Sequence, residues 1–260
     1  MREEKPTRKV RVLGVQHYSF FPVSQPGTYR EKLEFSKQLR ALLPHLDELR
    51  GSNAAIGVER LQTRPPTKPR EDGVLAGQEN YWKGVLTKSR SRGIKVLPLE
   101  DDAVGSVLLR ANIAASNTAC FSSSRAADYA EYFEKKLRTA PHTVGITADK
   151  AARITQTVWR HLCSDKPEGG LGHALYSISN ALSFERSLHM CEQALKQGAS
   201  HVVIGSQHAA DLKLAGKAEH TLVGEAAGYA EYGAAQALIC KAAHERFKPL
   251  IEEIKRIASE

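Results

Sequence analysis

A chain of 260 residues with 42% hydrophobic and 25% charged side chains has the composition of a packed globular protein and the length of one large α/β domain or two small ones. No apolar run approaches the roughly 20 residues that span a bilayer, and the charged Met1–Lys9 stretch leads into no signal-like apolar segment, so a cytoplasmic protein without a membrane partner is expected. The net charge of +8 is spread along the chain, with one local patch at Arg64, Lys68 and Arg70; without zinc-finger, RNP-like or helix-turn-helix patterns it reads as solubility, and nucleic acid is not an expected partner.

Val10–Gly14 is a β-branched run ending in glycine, the signature of a buried strand. Tyr29–Leu43 has apolar residues at Leu33, Phe35, Leu39 and Leu42, which is helical spacing, with Thr28 and Glu31 as a capping box and Pro44 as its interruption. Ala54–Glu59 is the second predicted strand, followed by a proline-rich loop to about Asp72. Leu75–Arg92 reads as a helix closed by Gly93, and Ile94–Leu99 as the third strand, followed by Glu100, Asp101 and Asp102 at the positive end of the next helix.

Helices are then expected over Val104–Ala115, Ser124–Arg138, Thr147–Leu162 and Ala174–Gln197, with Asp165–His173 as a breaker-rich loop. Gly198 closes the last of these, His201–Gly205 is the fourth strand, and Glu225–Ser259 is a final helical region. Strands alternating with helices imply an α/β fold with a mainly parallel central sheet flanked by helices. We expect a single domain over residues 1–260, with the helical portion 103–199 inserted before the last strand and packed on the sheet.

Two strands end alike: Val12-Leu13-Gly14-Val15-Gln16-His17 and Val203-Ile204-Gly205-Ser206-Gln207-His208 share an aliphatic run and then G-x-Q-H. The bare spacing also occurs at Gly170/His173 and Gly198/His201, but there it follows no strand. Parallel sheets bind ligands outside the carboxyl ends of their strands, and the other two strands deliver Glu59 and Glu100 to that rim. Two imidazoles and two carboxylates form a set suited to a divalent metal, whose bound water becomes a nucleophile near neutral pH with a glutamate to take its proton. The same residues could instead cap helices or pair with neighbours such as Arg60.

The paired G-x-x-H motifs at the two ends of the chain, with Glu59 after the second strand, resemble the TraB/PrgY/Tiki superfamily, which is related in fold to the ChaN and erythromycin-esterase proteins. Phe184–His208 is similar to that family's second motif region, where an arginine on a helix precedes the last strand. The resemblance implies that His17, His208 and Glu59 bind metal or act in catalysis, and that Arg186 sits in the site, holding an anion or stabilising an oxyanion. It covers the motif regions and the general layout, not the helical middle. It departs at Leu99-Glu100-Asp101, where family members tend to carry an aspartate-arginine pair, and members are often membrane-anchored.

The expectation is a metal-dependent hydrolase of a peptide, ester or similar acyl bond, using manganese, cobalt or zinc and a small-molecule or peptide substrate. His17, His208 and Glu59 would hold the metal, Glu59 could instead serve as base, and Glu100 and Arg186 would support or orient substrate. Homo-oligomerisation is possible. Two other readings stay open: a non-catalytic haem- or peptide-binding regulator on the same fold, in which His17 or Tyr18 contacts the ligand, and an anion or nucleic-acid binder using the basic surface. His161, His189, His220 and His244 are expected to be core or surface histidines, and Tyr81-Trp82 to pack a helix onto the sheet. Gly169–Gly172 lacks the preceding strand of a phosphate loop, and Cys120, Cys163, Cys191 and Cys240 read as free thiols.

Overall fold

The computed structural model describes residues 10–15, 29–59, 73–123, 125–139, 146–165 and 170–260. In chain order the first elements are β1 (Val10–Val15), α1 (Tyr29–Glu48), β2 (Ala55–Val58), α2 (Gly73–Arg90), β3 (Lys95–Pro98) and α3 (Ala103–Ala119). Then come α4 (Ala126–Thr139), α5 (Ala148–Asp165), α6 (Gly170–Lys196), β4 (His201–Gly205), α7 (Ser206–Leu214), β5 (Ala218–Leu222), α8 (Ala230–Arg246) and α9 (Lys248–Ser259). The described residues cluster into two compact units, one carrying the sheet (residues up to 59, 73–99 and 190–234) and one all-helical (100–189 and 235–260).

In the first unit five parallel strands form a sheet in the order β3-β2-β4-β1-β5. The α/β class and the parallel pairing follow the sequence expectation, and the long helix α6 runs directly before β4. Alternate residues of β1 face opposite layers. Leu13 and Val15 pack with Ile56, Val58 and Val203 against Leu42 and Leu46 of α1 and Tyr81, Trp82 and Val85 of α2. Gly14 faces α7. Each such apolar side chain contributes about 1.5–3 kcal/mol on burial.

Gly93 and Gly198 end their helices with φ of +72° and +76°. In both, the next residue's N–H reaches back to the carbonyl five residues earlier (Ile94 to Ser89 at 3.1 Å, Ala199 to Ala194 at 2.8 Å), so each glycine turns the chain straight into a strand.

Pro44 does not end α1, which continues to Glu48. Leu42 and Leu46 straddle it and are both 0% exposed. Their burial offsets the roughly 3 kcal/mol that an interior proline costs. The proposed cap at Thr28 lies outside the described residues. Two elements escape the sequence reading. Helix α7 has no side-chain N-cap to announce it, and β5 (AEHTL) is a polar edge strand whose only inward positions are Ala218, His220 and Leu222.

In the second unit α3, α4, α5, α6 and α9 bury Leu108, Phe133, Ile154, Leu182 and Ile254 among others. Asp102 is the N-cap of α3, accepting the Gly105 N–H at 2.6 Å, as the acidic run after β3 suggested. Arg110, buried in α3, donates to the carbonyls of Leu137 and Arg138 at 2.9 and 3.0 Å, satisfying the open end of α4. The breaker-rich loop is shorter than expected. Helix α5 extends to Asp165 and α6 begins at Gly170, with Gly172 packed so closely on the Ala119 carbonyl that a Cβ would stand 3.0 Å from it. The final helical region is broken at Phe247, and Pro249 occupies the first turn of α9, where its missing N–H costs nothing.

Candidate active site

The two strands with the shared G-x-Q-H exit, β1 and β4, are parallel neighbours, with Gly14 opposite Ile204 and Val15 opposite Gly205. Strand β2 lies on the other side of β4. Glu59 is the first residue past β2, and its N–H continues the ladder by donating to the Val203 carbonyl at 3.2 Å. Its side chain is fully buried, and Oε2 accepts the Gly205 N–H at 2.7 Å. Gly205 is the N-cap of α7, so the carboxylate also lies at the positive end of that helix.

His208 is the third residue of α7 and is buried. Its Nε2 stands 3.5 Å from Glu59 Oε1, and its Nδ1 lies 3.9 Å from Oδ2 of Asp211, one turn further on. Asp211 is fully buried and its Oδ1 accepts from Gln207 Nε2 at 3.0 Å. A carboxylate, an imidazole and a second carboxylate therefore follow one another across β2 and α7. Asp211 was not among the expected site residues. Its only sequence signal is the three-residue spacing from His208, which has meaning once 206–214 is known to be helical.

Gly14 makes room for a helix. A Cβ there would lie 2.8 Å from the Ala209 Cβ. The missing side chain lets α7 descend onto β1 and brings His208 to the strand ends. Gly205 has an ordinary extended conformation, with φ of −56° and ψ of 147°.

The Glu59–His208 separation exceeds the 2.7–3.2 Å of a good N–H···O hydrogen bond. It suits two donors sharing one ion, since tetrahedral ligands at about 2.0–2.2 Å from a metal stand roughly 3.3–3.6 Å apart. Asp211 lies on the side of the remote ring nitrogen at 3.9 Å, beyond direct hydrogen-bond distance. Among the described residues no group of three or more His, Cys, Asp or Glu side chains is arranged to hold a metal. His17, expected as the further ligand, lies outside the described residues, as does Tyr18.

Glu100 and Arg186 meet within the second unit. Arg186, on α6, is buried, and its Nε donates to Glu100 Oε1 at 2.8 Å. Glu100 Oε2 is buried with no hydrogen-bond partner among the described residues. One turn along α6, His189 places Nε2 at 3.0 and 3.1 Å from the two oxygens of Asp102. His189 is thus a core histidine, as expected, seated against a carboxylate. A Cβ on Gly105 would stand 2.9 Å from Asp102 Oδ1 and 3.1 Å from His189 Nε2, so the glycine leaves room for this pair.

His244 stands 2.8 Å from Glu185, which also accepts from Lys255 Nζ at 2.7 Å. Burial pushes the Glu185 carboxyl up, but these two bonds and their charges overcome it and hold its pKa below the usual value. Tyr81 and Trp82 pack edge to face in the core of the first unit, the expected packing role. The four cysteines are free, and no helix among the described residues is long and apolar enough to cross a membrane. No protein-family model matches this chain, and no curated protein or solved structure is significantly similar to it.

Proposed function

We propose that this chain is a hydrolase of peptide, ester or similar acyl bonds that works with a divalent metal ion at the carboxyl ends of β2 and β4. The observation that carries the reading is the 3.5 Å approach of His208 Nε2 to the buried Glu59 carboxylate, at the strand ends where the repeated G-x-Q-H exit directs it. His208 and Glu59 would hold the ion, and the motif resemblance to the TraB/PrgY/Tiki superfamily supports His17 as a further ligand. A bound manganese, cobalt or zinc ion supplies Lewis acidity and an activated water near neutral pH.

The protein's own groups do the positioning. Asp211 places a carboxylate 3.9 Å from His208 Nδ1, on the side of the ring away from Glu59. The Gly205 N–H fixes Glu59 Oε2, so that Oε1 is the oxygen presented to His208. Glu100 and Arg186 neutralise one another, and no catalytic step is assigned to them.

The test is calorimetric titration of chelator-free protein with manganese, cobalt and zinc, beside turnover of a peptide and ester panel. One ion per chain and metal-dependent turnover are expected, both lost in His208→Ala and Glu59→Gln. The side-chain amide introduced by Glu59→Gln can still accept the Gly205 N–H, so loss in that variant reports the charge rather than the fold. Wild-type protein that binds no divalent ion would overturn the reading.

A further inference from the structure

The amino-terminal end of the sheet carries a second polar recess, distant from the strand ends that hold Glu59 and His208. His201 opens β4, Arg11 and Glu219 are the second residues of β1 and β5, and α1 returns there to end at Glu48. A cavity of about 320 Å³ is lined by Arg11, His45, Glu48, His201 and Glu219 among others. Strand register places Arg11 beside His201 on one side and Glu219 on the other. The three side chains therefore leave the same face of the sheet from strands about 4.8 Å apart. It is the face that Leu13 presents to α1, two residues on, and His45 and Glu48 in the last turn of α1 close the recess.

Six ionisable groups line the recess, His220 of β5 being the sixth, yet none of the six is ion-paired among the described residues; His201 Nδ1 meets only the Ser200 hydroxyl at 3.0 Å. Convergent charges that do not satisfy one another differ from the paired clusters around Glu100 and Glu185, and they suit an external ligand. Arg11, a permanent cation in the middle of the row, disfavours a metal ion and favours an anion. Burial, the Arg11 charge and the His45 ring hold the His201 pKa below its ordinary value, against the upward pull of Glu48. An anion would relieve that repulsion. The volume lies at the lower end of small-molecule sites, which run from about 300 to 1,000 Å³.

We propose that this recess binds a small organic oxyanion, a carboxylate or phosphate ester, with Arg11, His45 and His201 on the anionic group and Glu48 and Glu219 accepting hydrogen bonds from its hydroxyl or amino groups. The site is independent of the Glu59–His208 chemistry.

The test follows the imidazole signals of the full-length protein by NMR during titration with sulfate, whose charge is constant across the range used. Malate and glycerol phosphate serve as the carboxylate and phosphate-ester arms. Saturable shifts are expected at His45 and His201, with affinity about tenfold tighter near pH 5.5 than near pH 8, because a bound anion favours a charged imidazole. Arg11→Gln and His201→Gln, both at accessible positions, should each weaken binding about tenfold or more without altering thermal unfolding. Absence of saturable shifts, or an undiminished response in Arg11→Gln, overturns the site. Malate and glycerol phosphate binding no tighter than sulfate overturns the roles of Glu48 and Glu219, and the tighter of the two identifies the ligand class.

Discussion

Arg186→Met removes a guanidinium that is 3% exposed and leaves Glu100, 4% exposed, without the cation 2.8 Å from its Oε1. Two unit charges with centres about 4 Å apart attract by about 4 kcal/mol at an effective dielectric of about 20. Withdrawing each ion from water costs several kcal/mol. As a unit the pair therefore adds little to stability, whereas either half alone carries an uncompensated desolvation penalty. Arg186→Met is expected to cost about 3–5 kcal/mol, a fall in Tm of about 10 °C for a protein of this size. Glu100→Met combined with Arg186→Met should recover to within about 1–2 kcal/mol of wild type, since a well-packed apolar pair can replace a buried ion pair. Calorimetric and circular-dichroism melts of the four proteins give the coupling energy directly. An Arg186→Met penalty below about 1 kcal/mol, or a double variant as unstable as the sum of the singles, would refute a desolvated pair at this position.

Glu185 makes the second unit acid-sensitive. Its folded pKa lies below the unfolded value of 4.5, so its contribution is complete above that value and lost as pH falls through the folded pKa. Glu185→Gln should flatten the acid limb of a Tm-versus-pH curve, and an unchanged slope counts against this reading. Gly105→Ala, which would bring a Cβ to 3.0 Å from the Glu100 Cα and 2.9 Å from Asp102 Oδ1, should cost about 1–3 kcal/mol. Gly228→Ala, with nothing within 4 Å, should stay within about 0.5 kcal/mol, both variants being compared by urea titration. Glu59→Ala leaves the Gly205 N–H without its charged acceptor and should cost about 1.5–3 kcal/mol, while Glu59→Gln should cost less than half of that; equal losses would mean that the 2.7 Å bond contributes nothing.

The strands legible in the sequence are the aliphatic-rich runs. VRVLG, AAIGVE, IKVLPL and HVVIG lie within a residue or two of the expected limits, including the edge strand β3, where Lys95 is exposed but Leu97 is buried. The edge strand β5 half-buries only alternate positions and leaves Glu219 and Thr221 exposed, so its composition resembles a loop. The site shows the same division. Glu59 could be found because it follows a strand run directly, and His208 because it stands three residues past one. Asp211 depends on helical spacing, and in the second unit the Asp102–His189 pair depends on a contact 87 residues apart in sequence, which neither periodicity nor propensity encodes.

Three buried ionisable groups gather where the chain leaves β2 and β4. Glu59 and Asp211 are 0% exposed and His208 is 5% exposed, whereas aliphatic side chains of like volume would avoid the desolvation cost altogether. Helix capping accounts for one oxygen of Glu59, at Gly205. It does not account for the imidazole, because a helix start needs acceptors and His208 lies beyond the cap. Nor does packing account for it, since Gly14 forgoes a side chain to let α7 come close enough to bring His208 there. Two separate concessions, a residue without bulk in β1 and a carboxylate kept dry after β2, serve the placement of one ring nitrogen. Places where local stability is given up in this coordinated way are where folds tend to hold their chemistry, and this is the physical ground for proposing Glu59 and His208 as the site.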